Sequence, residues 1–279
     1  MTSAGGEVAL LPAPTAPTSP KVQPPTAPAA APAVILSGVC KTFANAPIPV
    51  LDDIELEVAA GELICVLGAS GCGKSTLLNL IAGLDRPSSG LISVEGGHAA
   101  LMFQESALFP WLTAAGNVEL ALRLRKVPKA ERRDEARRLL KLVRLDGAAD
   151  KRVHELSGGM RQRVAMARAL AQNSSVLLMD EPFAALDAIT RDVLHEELVS
   201  LWQSNANAGR PLAIVFVTHN VREAVRLGQR VVMLSSRPGR VARQWTIDLP
   251  QPRRIEDAEV AALAAQITAE LRREISRHA

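Results

Sequence analysis

From Val34 onward the chain alternates short apolar runs with stretches of helical periodicity. Val34-Ile35-Leu36 and Ile54-Glu55-Leu56-Glu57-Val58 read as strands; the second alternates strictly, which predicts one wet face. Leu63 to Leu67 is a continuous apolar run, expected as a buried strand, and Leu77 to Ala82 is a run of good helix formers. A turn at Arg86 to Gly90 precedes a strand at Leu91 to Val94, and Ala99 to Phe103 is another, ending at Gln104.

The pattern then turns helical. Thr113 is placed to cap a helix running to about Lys126, with Pro128 marking the break. Ala136, Leu139, Leu140 and Val143 recur at helical spacing, and after Ser157-Gly158-Gly159 a third helix carries Met160, Val164, Ala167 and Ala171 on one face. Helices in succession without a strand, inside an alternating chain, predict an inserted helical subdomain over about 105–157 or somewhat beyond. Strands resume at Val176 to Met179, Leu212 to Val217, Val231 to Leu234 and Val241 to Leu249. Helices are expected from about Asp187 to Gln203 and Asn220 to Leu227. A final amphipathic helix carries Val260, Leu263, Ala264, Ile267, Leu271 and Ile275 on one stripe, expected to dock on the body.

Composition changes this picture in two places. Residues 1–33 hold eight of the 18 prolines, mixed with Ala and Thr, and are read as a disordered or polyproline-like tail. The remainder is ordinary: 279 residues, 48% hydrophobic, and a net charge of only +3 from 32 basic and 29 acidic residues, which argues against a nucleic-acid partner. The three cysteines, Cys40, Cys65 and Cys72, support neither a disulfide framework nor a zinc site. No apolar window is long enough to span a membrane, and the N-terminus lacks the pattern of a secretion signal, so any work at a membrane requires a partner there.

The chemistry-bearing stretch is Gly68-Ala69-Ser70-Gly71-Cys72-Gly73-Lys74-Ser75-Thr76, which fits the pattern G-x-x-x-x-G-K-[ST]. A strand turning through glycines into a helix N-terminus leaves backbone N–H groups unpaired, and with the helix dipole these form an anion site. Lys74 is expected on the β/γ-phosphates and the Ser75 hydroxyl on Mg²⁺. Val176 to Asp180 is a buried run delivering a carboxylate at its C-terminal end, suited to the metal, and the adjacent Glu181 is suited to polarising water. Leu156-Ser157-Gly158-Gly159-Met160 is a second glycine turn opening a helix. If the two anion-facing turns cannot converge in one subunit, a head-to-tail dimer lets each nucleotide lie between one loop and the partner's second turn.

Together these residues resemble the ATP-binding subunit of an ABC transporter, over roughly 34–250. The resemblance implies an α/β fold of the P-loop NTPase class: a RecA-like core with an antiparallel β subdomain, plus the helical insertion. It makes Gly68 to Thr76 the Walker A loop and Val176 to Asp180 Walker B, with Glu181 the catalytic carboxylate. It makes Gln104 the Q-loop glutamine touching Mg²⁺ and water, Ser157 to Gly159 the anion-facing part of the signature turn, and Asp187 part of the D-loop. His219 becomes the switch histidine, and Phe43 the aromatic that stacks on adenine. The implied ligands are ATP and Mg²⁺. The implied partners are a second copy, two transmembrane permease subunits and, through the permease, a periplasmic or lipid-anchored solute-binding protein, on the cytoplasmic face of the cell membrane.

Met160, Asn220 and Ala184 depart from the family pattern, and none removes a group that the chemistry requires. Finer features resemble the importer branch serving aliphatic sulfonates, taurine and nitrate. These are Met102 to Trp111, Leu186 to Arg191 and Leu234 to Arg240, with the tail Asp248 to Arg254 most like aliphatic-sulfonate import ATPases. Phe109-Pro110-Trp111 suits a surface that docks the membrane subunit. Among the alternatives, a soluble ABC ATPase acting on nucleic acid would bring a coiled-coil insertion or tandem units, and a non-hydrolysing module would lack Glu181 or His219. The sequence shows neither pattern.

The divided site has a measurable consequence. A monomer should bind nucleotide and hydrolyse little, so ATPase activity per subunit should rise with protein concentration; a concentration-independent rate would exclude a shared site.

Overall fold

The computed structural model describes residues 32–44 and 47–277. Strand β1 (Pro32–Lys41) starts two residues before the expected Val34 and pairs antiparallel with β2 (Leu51–Ala59). The Pro-rich segment 1–33 therefore lies outside the described residues, except for Pro32 and Ala33, which already belong to β1. β2 alternates buried and open positions as its sequence predicts. On the other side of β1 lies β4 (Ser89–Val94), antiparallel, giving a three-stranded sheet of order β2-β1-β4.

The larger sheet has six strands in the order β5-β6-β7-β3-β8-β9. Its central members, β3 (Leu63–Leu67), β6 (Val176–Asp180), β7 (Ala213–Val217) and β8 (Arg230–Leu234), run parallel and are apolar because both faces are covered. β5 (Ala100–Met102) adds a parallel edge and β9 (Val241–Thr246) an antiparallel one. One core lies between this sheet and the three-stranded sheet, beneath α1 (Lys74–Ile81), where Leu36, Ile54, Val66, Leu77 and Leu178 are fully buried or nearly so.

The second core lies on the opposite face. It is roofed by α2 (Ala114–Leu124), α3 (Lys129–Leu142), α4 (Gly158–Leu170), α5 (Ala188–Asn207) and α6 (Val221–Leu227). Thr113 caps α2 by accepting from the Gly116 N–H at 3.0 Å, and α3 buries Ala136, Leu139 and Leu140 as its periodicity predicts. α4 differs from the one-faced helix expected. Ala165, Met166, Ala169 and Gln162 are buried as well, because the helix is packed between β5, the helical subdomain and α5.

β9 ends at Thr246 rather than Leu249. The reason is the buried Arg253, whose guanidinium donates to the carbonyls of Ile247 (3.1 Å), Leu249 (2.7 Å), Val225 (2.8 Å) and Gly228 (2.6 Å). The backbone acceptors that a strand would pair are satisfied by one side chain, which also closes the C-terminal end of α6. Last, α7 (Ala258–Ser276) docks on α6 through Val260, Ala264 and Ile267, all buried in the second core; Ile275, expected on the same stripe, stays exposed.

Ile267 is fully buried in that contact. Ile267→Ala is expected to lower the unfolding free energy by about 2–4 kcal/mol in a urea titration; a change under about 0.5 kcal/mol would mean that α7 is not docked in solution.

Candidate functional site

The chain leaves β3 at Leu67, turns through Gly68 to Gly73, and enters α1 at Lys74. Gly73 has φ +101°, and a Cβ there would stand 2.7 Å from the Leu51 side chain, so a larger residue would be both strained and obstructed. α1 begins with no capping side chain and no acidic residue in its first turn. Its N-terminal N–H groups and the positive end of its dipole are left for an anion. Lys74 is only 8% exposed, and its ammonium donates to the carbonyls of Gly68 (2.9 Å) and Ala69 (3.0 Å), which curl the loop around it. Ser70 and Cys72 lie in the same turn, with Cys72 buried behind it, and Thr76 lies in the first turn of α1.

The strand order puts β6 and β7 beside β3 with their C-terminal ends in register: Asp180 opposite Val217, and Val217 opposite Val66. Asp180 is thereby brought close to the Ser75 hydroxyl at the start of α1. Burial pushes the Asp180 carboxyl above its ordinary range and the charge of Glu181 adds to this, against the opposing pull of Ser75 and Lys74. Glu181 follows at φ +42°, a left-handed conformation costing a non-glycine residue about 1 kcal/mol, held by its N–H bond to the Val217 carbonyl at 3.0 Å. That turn aims its carboxylate at His219, with Oε2 2.8 Å from Nδ1.

The mounting of His219 was not legible in the sequence. Thr218 before it donates its hydroxyl to the buried Glu223, and accepts the N–H of Asn220 after it at 3.0 Å. Asn220, a departure from the family pattern, caps α6 through the N–H groups of Arg222 (3.0 Å) and Glu223 (3.4 Å), work that an aspartate would also do. Glu223 in turn lies 2.6 Å from Nε2 of the buried His195 on α5, whose ring packs edge-on against Phe183 and Phe216. Burial drives the Glu223 carboxyl up, but the hydrogen bond and charge of His195, with the Thr218 bond, outweigh it and hold the group below its ordinary range.

Gln104 sits exposed just past β5, and its carbonyl accepts from Gln162 on α4 at 2.9 Å. Arg168, further along α4, donates to the carbonyls of Ser106 (2.8 Å) and Ala107 (2.7 Å). Two α4 side chains thus strap the Gln104 segment to the helix that Ser157 opens. Ser157 caps α4, accepting the Met160 N–H at 3.2 Å. A Cβ on Gly158 would lie 3.5 Å from Leu186, and one on Gly159 2.6 Å from the Thr190 methyl, so this turn leans on the start of α5 and not on the phosphate loop. Asp187 caps α5, accepting from the Thr190 N–H (2.9 Å) and hydroxyl (2.7 Å), bonds that lower its pKa. Phe43 is exposed, with the Lys41 ammonium 5.0 Å from its ring centre. Gln162 lies opposite the expected apolar stripe of α4, so the sequence carried no signal for it.

Ser75 and Asp180 offer a hydroxyl and a carboxylate close together, with Gln104 just past the end of the neighbouring strand. An all-oxygen set of this kind fits Mg²⁺ rather than a softer metal.

A glycine turn opening a helix, faced by two carboxylates at the end of β6 and a histidine after β7, defines a phosphate-loop nucleoside triphosphatase fold. A protein-family model described as ABC transporter matches residues 51–184. The nitrate import ATP-binding protein of Synechocystis sp. is 48% identical over 207 residues, covering 72% of this chain and 76% of that protein. The taurine import ATP-binding protein of Pseudomonas putida is 44% identical over 223 residues, covering 77% and 83%. Among solved structures, a dimeric bacterial ABC transporter cassette superposes with TM-score 0.68 at 33% identity, over 78% of this chain and 100% of that one. The chain belongs to the ABC transporter ATP-binding proteins; it is an ABC-type ATPase, the ATP-binding subunit of an importer.

His195→Phe preserves an aromatic ring beside Phe183 and Phe216 but removes the partner of a buried carboxylate. A stability loss of about 3 kcal/mol in urea is expected at neutral pH. Because the folded pKa of Glu223 is depressed, this contribution is present above the ordinary glutamate value and fades as pH falls through the lowered one, so the difference between wild type and variant should shrink in acid.

Proposed function

We propose that the chain hydrolyses ATP between two head-to-tail copies of itself to drive a membrane permease that imports aliphatic sulfonates. The observation that carries the ATPase assignment is the convergence of Lys74, Asp180, Glu181 and His219 at the ends of three adjacent strands, with Glu181 and His219 2.8 Å apart. In this reading Phe43 stacks on adenine, while Gly68 to Thr76 cradle the phosphates through backbone N–H groups and the Lys74 ammonium. Ser75, Asp180 and the Gln104 side chain hold Mg²⁺, which neutralises charge on the β/γ-phosphate oxygens. Glu181 polarises the attacking water, and its contact with His219 fixes the carboxylate while the imidazole reaches the γ-phosphate. Ser157, Gly158 and Gly159 of the partner subunit complete the site from the far side, and Asp187 lies beside them at the start of α5.

Residues 34–250 form the catalytic unit, with the helical subdomain over about 105–157. The tail 1–33 and the C-terminal segment 251–279 are appended to it. Among the described residues no helix is long and apolar enough to cross a membrane. In this reading the protein sits peripherally on the cytoplasmic face, held by two transmembrane permease subunits that receive solute from a binding protein. Phe109 and Trp111 support the docking reading. Their rings meet at a tilt of 53° with centroids 5.4 Å apart while Trp111 stays 68% exposed, an aromatic pair left open next to the strapped Gln104 segment.

The sulfonate assignment rests on the tail Asp248 to Arg254. The names of the relatives favour taurine or nitrate instead, and all three solutes are small oxygen-bearing compounds. Growth of a deletion strain on alkanesulfonate, taurine or nitrate as sole source separates them; loss of growth on nitrate alone would overturn the sulfonate reading. For the ATPase, Glu181→Gln should bind ATP with near wild-type affinity, lose at least about 100-fold in turnover, and accumulate as a nucleotide-bound dimer in size-exclusion chromatography. Wild-type turnover in that variant would remove Glu181 from the mechanism.

A further inference from the structure

The turn Ser235-Ser236-Arg237-Pro238-Gly239-Arg240 between β8 and β9 has no role in the scheme above, yet it lies directly against the phosphate loop. It is a built element. The Ser235 hydroxyl donates to the Pro238 carbonyl at 2.7 Å and accepts the Arg240 N–H at 2.9 Å. The Gly239 N–H donates to the Val50 carbonyl (2.9 Å) and its carbonyl accepts from the Asp52 N–H (3.0 Å), while Arg240 pairs with the Asp52 carboxylate at 3.0 Å. The turn is thereby fastened to the start of β2. A Cβ at Gly239 would stand 2.2 Å from the Cys72 carbonyl, so the turn presses on the back of the loop with no room for a side chain.

Arg237 reaches from this turn to the loop itself. Its Nε donates to the Gly71 carbonyl at 3.1 Å, and its guanidinium lies along the same residue, 3.6 Å from where a Cβ would be. Gly71 is the bend, with φ +76°, and the next N–H, that of Cys72, closes the turn on the Ala69 carbonyl at 3.3 Å. The Gly71 carbonyl and the Cys72 N–H belong to one rigid peptide plane and point in opposite directions. Arg237 holds one end of that plane and Ala69 the other. The plane turns about ψ of Gly71 and φ of Cys72, and Gly71, which carries no side chain, leaves the first of these rotations soft when the carbonyl is unheld.

We propose that Arg237 is a positioning residue for the phosphate loop. Braced by the turn on β2, it fixes the Gly71–Cys72 peptide and with it the curl in which the loop cradles phosphate, without itself touching nucleotide. The inference rests on the reading that Gly68 to Thr76 holds the phosphates. That reading has its own control: Lys74→Ala must lose ATP affinity, and if it does not, the loop assignment fails whatever Arg237 does.

The test is calorimetric titration of the full chain and of Arg237→Ala with Mg-ATP and with Mg-ADP, alongside thermal melts and steady-state kinetics. One lost charge-assisted bond on an exposed group predicts affinity weakened about 3- to 10-fold for both nucleotides, with kcat at saturating ATP within about twofold and the melting midpoint within about 2 °C. Arg237→Lys, which can still donate to the carbonyl, should recover part of the affinity. Unchanged affinity in Arg237→Ala overturns the proposal. So does a loss confined to ATP, which would put the guanidinium on the γ-phosphate, or a fall in stability and kcat together, which would make it a fold contact only.

Discussion

The Lys74 ammonium is nearly buried, at the first position of a helix whose N–H groups already present positive charge to the same space. Placing two sources of positive potential together is unfavourable unless something offsets it. Here the carbonyls of Gly68 and Ala69 curl back to accept the ammonium, a curl that requires a left-handed turn at Gly73 packed against Leu51. The curl of the loop is thus set by contacts within the chain, and the parts around it serve to keep it so. Leu51 comes from the three-stranded sheet and Gly239 from the β8–β9 turn, so the two sheets meet at this loop.

The same economy governs the opposite wall. The carboxylates emerge from β6, the histidine from β7 and the phosphate loop from β3, and parallel register brings all three ends to one level. Strand ends are imprecise places to hold a side chain, because the ladder stops there. Buried polar bonds take over: Glu223 with Thr218 and His195 beneath His219, and Arg253 gathering four carbonyls behind α6. Each of these groups would be costly to bury alone, and together they leave the loop geometry few alternatives.

The glycine turn at Ser157 belongs to a different mechanical unit. Ser157 opens α4, and α4 carries the Gln104 segment through Gln162 and Arg168, so Gln104 and Ser157 are linked through one helix. A displacement at the exposed Phe109–Trp111 pair, a few residues beyond that strap, reaches α4 through few intermediates.

Period and punctuation in the sequence were enough to place nearly every element, because apolar runs with two covered faces and helices with a buried stripe are local requirements. The phosphate loop was equally legible: its glycines answer to backbone constraints within nine consecutive residues. The strand order, the pairing of Glu181 with His219, the early end of β9, and the partners His195, Gln162, Arg168 and Arg253 were not. Apart from the bonds of Arg253 to Ile247 and Leu249, these depend on side chains that reach across 25 to 62 positions of chain, and a lone buried histidine or glutamine carries no spacing that announces its partner. The sequence by itself therefore determined that a phosphate is gripped between a strand and a helix. Only the packing of those elements decided which carboxylate faces which histidine, because register between strands distant in the chain is set by the cores on either side of the sheet.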